Sequence, residues 1–379
     1  MKNFLICLLA VVLTASMYCA KSQTIKHIEH DSQQRAYMEF VPSTYTGSEP
    51  VPLVLALHGL GDTITNFQAV GFQALGEIDN FITVYPQGMN VGLGAAWNAG
   101  ILLYGTINLN GTVDDIGFIN LLLDTLISQY NIDQTKIYAA GFSNGGFMVN
   151  RFACELSNRF TALAAAAGTR GNLITACNPW RAIPYCHFHG NEDPTVPYTG
   201  NTFGMDAPDL VEWWTIFNQC DNTPNVTSFP DNAPGDSITV TLFEFPNGRD
   251  GTTVEFYLAD NGGHQWLYEP VNDVTYTILM WEFFKKFSMV NLGIDDEMNQ
   301  SITVYPIPAN DEIIIRLSDN IGQLNFDLFN TNGQLVIQKK FSDSENILNV
   351  DELPDGIYFW KAICDNQMNY SGKILVIHN

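Results

Sequence analysis

Basic residues are scarce in this chain. Seventeen Lys and Arg stand against 40 Asp and Glu, a formal net charge of −23 over 379 residues. Such a surface repels phosphate backbones, so a nucleic-acid partner is not expected. Polyanionic substrates are disfavoured for the same reason, and neutral polymers or small neutral esters fit better. Long apolar runs are also few. The exception is Phe4 to Met17, uncharged and preceded by Lys2. A basic start and a short apolar stretch are the pattern of a secretory signal peptide, here 1–22, with small residues Ala20 and Ser22 before a cleavage site. Cys19 offers a lipoprotein alternative, but Ser16-Met17-Tyr18 fit a lipobox poorly. No other segment reads as transmembrane.

Cysteine is limited to seven, two of them (Cys7 and Cys19) in the signal region. The others are Cys154, Cys177, Cys186, Cys220 and Cys364. No Cys/His spacing resembles a zinc site. An exported chain can form disulfides, and Cys177 with Cys186 is one candidate pair. Cys154 reads as buried structural sulfur. An odd count leaves one thiol free or intermolecular, and the pairing and the oligomeric state are not given by sequence.

What is present is a globular composition, 46% apolar with ample core material. The run Leu53–Leu57 is continuous and apolar, as suits a strand buried on both faces of a parallel sheet. Further strands are predicted over Thr24–His30, Arg35–Val41, Phe81–Tyr85, Lys136–Ala140, Thr161–Ala167, Ile183–His189 and Val254–Leu258. Between them, helices are predicted from Asp114-Asp115, from the residues after Ser143, from Pro208 and over Tyr276–Phe287. Strands alternating with helices imply an α/β fold with a doubly wound, mostly parallel sheet. Near residue 290 the texture turns polar, then to short strands with Asn332-Gly333 and Asp355-Gly356 turns, which predict a small antiparallel β-sandwich. The expected organisation is signal peptide 1–22, α/β domain 23–288, linker 289–300 and β-sandwich 301–379.

Gly141-Phe142-Ser143-Asn144-Gly145 is a G-x-S-x-G between a strand and a helix. That setting suits a nucleophile elbow, with Ser143 attacking an acyl group. The bland alternative is a serine that merely caps a helix. The context has to decide between them. Upstream, His58-Gly59-Leu60-Gly61 ends a buried strand. The amides of Leu60 and Asn144 can then form an oxyanion hole, while His58 orders the loop. Downstream, Asp193 follows a strand and suits the triad carboxylate, with Glu192 its rival. His187 and His189 read as structural. His264, on a Gly-Gly loop after the late strand, suits the base. The order Ser143, Asp193, His264 is that of α/β-hydrolases. Trp97 and Trp266 are candidate walls of a substrate cleft; Trp213 and Trp214 suit either a cleft or helix core. Asp114 and Asp115 read as a helix cap and a first-turn acid rather than a metal pair.

Residues 35–288 resemble the secreted polyhydroxybutyrate depolymerase and feruloyl/acetylxylan esterase group, carbohydrate esterase family 1-like. The resemblance is carried by Pro52–Gly59, Trp97-Asn98-Ala99-Gly100, Val113–Phe118, the elbow, His189-Gly190 with Asp193, Val196 and Pro197, Val211–Trp214 through Cys220, and Gly263-His264. Relatives often carry a cysteine just after Trp-Asn-Ala-Gly; here Ile101-Leu102-Leu103 stands instead. The resemblance implies a serine carboxylester hydrolase that needs no cofactor or metal and acts on polysaccharide-linked esters or polyesters. Alternatives are a prolyl-oligopeptidase-like peptidase and a non-catalytic surface binding protein on a hydrolase scaffold. Tyr305–Asp311, Asp355–Phe359 and Lys373–Val376 resemble a type IX secretion sorting domain. That implies a partner in the type IX secretion machinery and a product released from, or attached to, the outer surface.

Overall fold

The computed structural model describes residues 25–90, 92, 94–289, 302–305, 309–317, 324–330, 334–343, 345–364 and 369–378. The signal-peptide segment 1–22, all but the first residue of the expected linker, and the Asn332-Gly333 turn lie outside the described residues. Two compact units divide at Met289 and Val290.

The first unit runs β1 (Ile25–His30), β2 (Gln33–Phe40), β3 (Val51–Leu57), α1 (Ile64–Phe67), α2 (Phe72–Asp79), β4 (Ile82–Pro86), the short hairpins β5 (Met89–Asn90) with β6 (Ala95–Ala96) and β7 (Leu102–Leu103) with β8 (Ile107–Asn108), then α3 (Asp115–Gln129) and β9 (Ile132–Phe142). It continues with α4 (Asn144–Glu155), β10 (Ala162–Ala166), β11 (Tyr185–Gly190), α5 (Ala207–Asn218), β12 (Asn225–Ser228), β13 (Thr239–Phe245), β14 (Val254–Asp260) and α6 (Tyr276–Phe284). One sheet takes ten strands in the order β1-β2-β4-β3-β9-β10-β11-β14-β13-β12. Its centre, β4 to β14, is parallel, and antiparallel strands close both edges. The sheet is therefore the α/β-hydrolase arrangement that the alternating pattern predicts.

Apolar residues on both faces explain the depth of the centre. Leu53, Leu55 and Leu57 of β3 face a core shared with α3, α4 and α5. Val54 and Ala56 face the opposite core, shared with α1, α2 and α6. Alternate side chains point to opposite faces, so a strand covered twice must be apolar throughout. Strand β13 lacks such a run and sits near an edge, half exposed, which is why it is not read from sequence.

The second unit contains β15 (Ile302–Tyr305), β16 (Glu312–Leu317), β17 (Leu324–Phe329), β18 (Leu335–Phe341), β19 (Glu345–Asn349), β20 (Gly356–Cys364) and β21 (Asn369–Val376). They form sheets β15-β16-β19 and β18-β17-β20-β21. Ile313, Ile315, Phe326, Leu328 and Leu348 fill one core between them. Among the described residues no helix is long and apolar enough to cross a membrane.

The cysteines depart from expectation. Cys154 is disulfide-bonded to Cys177, tying α4 to the loop before β11. Cys186 points into the core from β11, where it is buried and free, so it does not close a loop with Cys177. Cys220 is also buried and free.

Candidate active site

Ser143 falls between β9 and α4 with φ 53° and ψ −121°. That backbone lies outside the allowed wells of an L-residue and costs about 1–3 kcal/mol. Its side chain makes no capping bond to the helix it precedes, so it is not an N-cap serine. The two flanking glycines have a steric reason. A Cβ on Gly141 would lie 2.3 Å from the Gly145 carbonyl oxygen, and one on Gly145 would lie 2.2 Å from that of Leu57. The turn closes only because both positions lack a side chain.

The residues expected on the oxyanion side, Leu60 and Asn144, converge on the same turn. A Cβ on Gly59 would lie 3.3 Å from Ser143 Cβ, so the loop carrying Leu60 passes directly over the serine. Asn144 opens α4, where its amide has no helical carbonyl to reach. The Asn144 side chain is pinned to the backbone of Trp97: Oδ1 accepts from the Trp97 amide at 2.7 Å and Nδ2 donates to the Trp97 carbonyl at 3.2 Å. The Trp97 indole N–H donates to the His58 carbonyl at 3.0 Å. Trp97 thereby ties the Leu60 loop to the start of α4.

This corrects one expectation. Trp97 is 0% exposed and belongs to the core, so it is a strut beneath the site and not a cleft wall. Trp266 is half-buried; its indole N–H donates to Thr277 Oγ1 at 3.0 Å and its ring meets Phe67, Phe72, Phe142 and Tyr276 edge-on. Trp214 is core, and half-buried Trp213 lies under the Arg170 guanidinium at 4.8 Å.

His58 orders the loop it ends. Its Nε2 accepts from the Gly88 amide at 3.0 Å, so Nδ1 carries the hydrogen and donates to the Gly59 carbonyl at 2.7 Å. Burial pushes its pKa down, only partly opposed by the Gly59 bond and Asp62. Gln87, which sequence reasoning missed, also reaches His58 Nε2 at 2.8 Å.

Asp193 and His264 meet on the other side. His264 Nδ1 donates to Asp193 Oδ2 at 2.7 Å. Asp193 Oδ1 accepts from the Thr195 and Val196 amides, both at 2.8 Å. Burial alone would raise the carboxyl, but the bonds from His264, Val196 and Thr195 outweigh it and hold it below the usual range. Glu192, the rival acid, is exposed. The two loops are stitched by Glu192 N donating to Gly262 O at 2.9 Å and by Asn261 N donating to Asn191 Oδ1 at 2.7 Å. The His264 ring lies 4.9 Å from that of Phe142, the residue before Ser143. Asp193 is buried, His264 and Ser143 are half-buried, and Leu60 is exposed.

Asp114 caps α3 by accepting from the Gly117 amide at 2.9 Å. Buried Asp115 binds Arg35 at 2.5 Å and the Asn98 amide at 2.6 Å, bracing the Trp97 segment. Among the described residues His30, Asp31 and Asp114 bring ligand atoms within 4.8 Å of one another. That cluster belongs to the β1 end and the α3 cap, not to the Ser143 turn. A groove of about 570 Å³ lies between α5 and β13–β14, lined by Tyr198, Val211, Ile216, Phe243 and Phe256, and none of the expected site residues lines it.

A ten-stranded hydrolase sheet with a strained serine turn and a paired Asp and His at its strand ends defines an α/β-hydrolase. Residues 44–204 match the phospholipase/carboxylesterase family, and residues 303–377 match the secretion system C-terminal sorting domain. The chain is thus similar to carboxylesterases over 44–204 and to secretion sorting tails over 303–377. It is 27% identical over 262 residues to feruloyl esterase B of Piromyces equi, covering 65% of this chain and 44% of that protein. It is 30% identical over 240 residues to a bifunctional acetylxylan esterase/xylanase of Neocallimastix patriciarum, covering 63% of this chain and 31% of that protein. It is 26% identical over 276 residues to feruloyl esterase C of Emericella nidulans, covering 70% and 89%. The chain thus spans less than half the length of the first two relatives. Among solved structures, the acetyl xylan esterase from Aspergillus awamori is 17% identical with a TM-score of 0.47, covering 69% of this chain and 99% of that one.

Proposed function

We propose that this chain is a secreted serine carboxylester hydrolase with Ser143, His264 and Asp193 as its triad. The observation that carries the reading is the 2.7 Å bond between His264 Nδ1 and Asp193 Oδ2 beside the strained Ser143 turn. With Nδ1 engaged, His264 Nε2 is the free nitrogen. It takes the Ser143 proton as Oγ attacks the ester carbonyl, and Asp193 stabilises the resulting cation. The amides of Leu60 and Asn144 hold the tetrahedral oxyanion. His264 then protonates the departing alcohol, leaving an acyl-enzyme. Water, deprotonated by His264, attacks the acyl carbon and releases the acid and Ser143.

The substrate class is an ester on a neutral plant polysaccharide, feruloyl or acetyl. It is supported by the feruloyl and acetylxylan esterases among the relatives and by the strongly negative chain. The hydrolase spans 23–288, and 301–379 acts as the address for type IX export after removal of 1–22.

Ser143→Ala is the test. Turnover of p-nitrophenyl acetate and methyl ferulate should fall by about 10⁴-fold or more, and fluorophosphonate labelling should vanish, with the melting temperature kept. Retained turnover would sink the triad. Comparing rates on methyl ferulate, acetylated xylan and polyhydroxybutyrate film tests the substrate; fastest release from the film would replace the polysaccharide reading with a polyester one.

A further inference from the structure

Two histidines behind Asp193 have no part in the steps above. His187 and His189 lie on the same face of β11, 0% and 1% exposed. Burial pushes both imidazoles below their ordinary range, His187 furthest. Both are therefore neutral, each with one donor and one acceptor nitrogen.

Their hydrogens can be assigned from their partners. The Val196 carbonyl only accepts, so His189 Nε2, 2.9 Å away, carries a hydrogen. His189 Nδ1 then accepts, and the hydrogen between the rings belongs to His187 Nε2, at 3.1 Å. His187 Nδ1 lies 3.5 Å from the Tyr185 hydroxyl, which donates to Asn150 Oδ1 at 2.9 Å. The Asn150 amide donates in turn to the Gly146 and Gly168 carbonyls at 3.0 and 3.1 Å. With no hydrogen between His187 Nδ1 and that hydroxyl, the bonded row from the Asp193 turn ends at His187, while Tyr185 and Asn150 form a separate pair at the first turn of α4.

His189 grips that turn from behind. Val196 presents its amide to Asp193 Oδ1 and its carbonyl to His189. His189 Nε2 is also 3.7 Å from Asp193 Oδ2, too long for a hydrogen bond. Its effect on the carboxylate therefore passes through the backbone of Val196. We propose that His189 is a positioning residue for Asp193, with its tautomer fixed by His187. This inference rests on the triad reading. Holding Val196 keeps the carboxylate aimed at His264 Nδ1 while His264 gains and loses its proton.

Two variants separate positioning from packing. His189→Gln keeps an N–H donor for the Val196 carbonyl, whereas His189→Leu fills the space without one. With p-nitrophenyl acetate, the Leu variant should lose about 10- to 100-fold in kcat with KM unchanged, as a small misplacement of a catalytic group does. The Gln variant should recover to within about threefold. The downfield proton resonance of the His264 Nδ1–H bond to Asp193 should shift in the Leu variant and return in the Gln variant. Equal kcat in the two variants, or an unmoved resonance in the Leu variant, overturns the proposal. Should His189→Leu fail to fold, His187→Phe removes the donor to His189 together with a backbone contact to Ala165, and leaves His189 and its Val196 bond in place. A kcat loss of about three- to tenfold at constant KM then supports the row, and an unchanged kcat overturns it. Failure of the triad itself reads out separately, as turnover surviving Ser143→Ala whatever the His189 variants do.

Discussion

The two halves of the site are held by different forces. The Ser143 turn is held by backbone crowding: Gly141, Gly145 and Gly59 let three segments touch. The Asp193–His264 corner is held by side-chain and loop hydrogen bonds, with every carboxylate oxygen occupied. The first half tolerates no added atom. The second is also crowded where Gly190 meets Gly262, but at Asp193 and His264 themselves it is set by donors and acceptors. Glycine substitutions at the first should therefore read out as folding, and substitutions at Asp193 and His264 in the second as rate.

Gly145→Ala is the most severe test of the first half. Its new Cβ would lie 2.2 Å from the Leu57 carbonyl oxygen and 2.6 Å from that of His58. Neither atom can yield, because Leu57 ends the central strand β3 and His58 follows it directly. The expected loss exceeds about 4 kcal/mol, seen as insoluble protein or a collapsed melting temperature. Asp193→Asn probes the second half. The amide can point its oxygen at the Thr195 and Val196 amides, leaving its NH₂ toward His264 Nδ1. That selects the wrong imidazole tautomer, so kcat should drop by about 10³- to 10⁴-fold, with the melting temperature little moved. A variant that unfolds instead would make the corner a folding element like the turn.

The same difference governs what the sequence discloses. Crowding is written in glycine, so the Ser143 turn is legible as a pentapeptide. Continuous and alternating apolar runs likewise make the parallel centre of the sheet legible. The corner is legible only by order along the chain, since Asp193 and His264 are 71 residues apart. Within it, the distinction between Glu192 and Asp193 is one of burial, which the local sequence does not carry. Trp97 reads as a cleft wall because a tryptophan beside a site suits a substrate; its burial and its bond to the His58 carbonyl reveal a strut. The Cys154–Cys177 bridge and the bonding of His189 to Val196 depend on side-chain directions that spacing does not fix.

Acid should sharpen the comparison. The turn from Gly141 to Phe147 contains no titrating side chain, whereas the corner is backed by His187 and His189, and His58 lies under the Leu60 loop. Burial depresses all three imidazoles. Below their unfolded value near 6.5 the unfolded chain binds more protons than the folded one. Stability should then fall with pH by up to about 1.4 kcal/mol per unit for each histidine, until the folded group itself protonates. The depressed carboxyl of Asp193 adds stability that is present above its unfolded value near 3.9 and lost as pH falls through its lower folded value. The melting temperature should thus begin to drop near pH 6.5, well before the carboxylate range. His187→Phe should flatten that slope between pH 6.5 and 5, and an unchanged slope would show that His187 is protonated in the folded protein.

The smallest expected effect comes from the residue that joins the halves of the proposed oxyanion hole. Trp97→Phe keeps the backbone clamp on Asn144, because both bonds use the main chain of residue 97. It removes the indole donor and leaves the His58 carbonyl without it, a cost of about 1–3 kcal/mol. Freed from that bond, the Leu60 loop can drift against α4, so the two amides no longer converge as closely on one oxygen. The loss in kcat should be below about tenfold, because the donors themselves remain. A strut touches no substrate, so methyl ferulate and p-nitrophenyl acetate should lose rate in the same proportion, each at constant KM. A selective rise in KM for the aromatic ester would instead return Trp97 to the cleft wall, and would require the core around it to open when substrate binds.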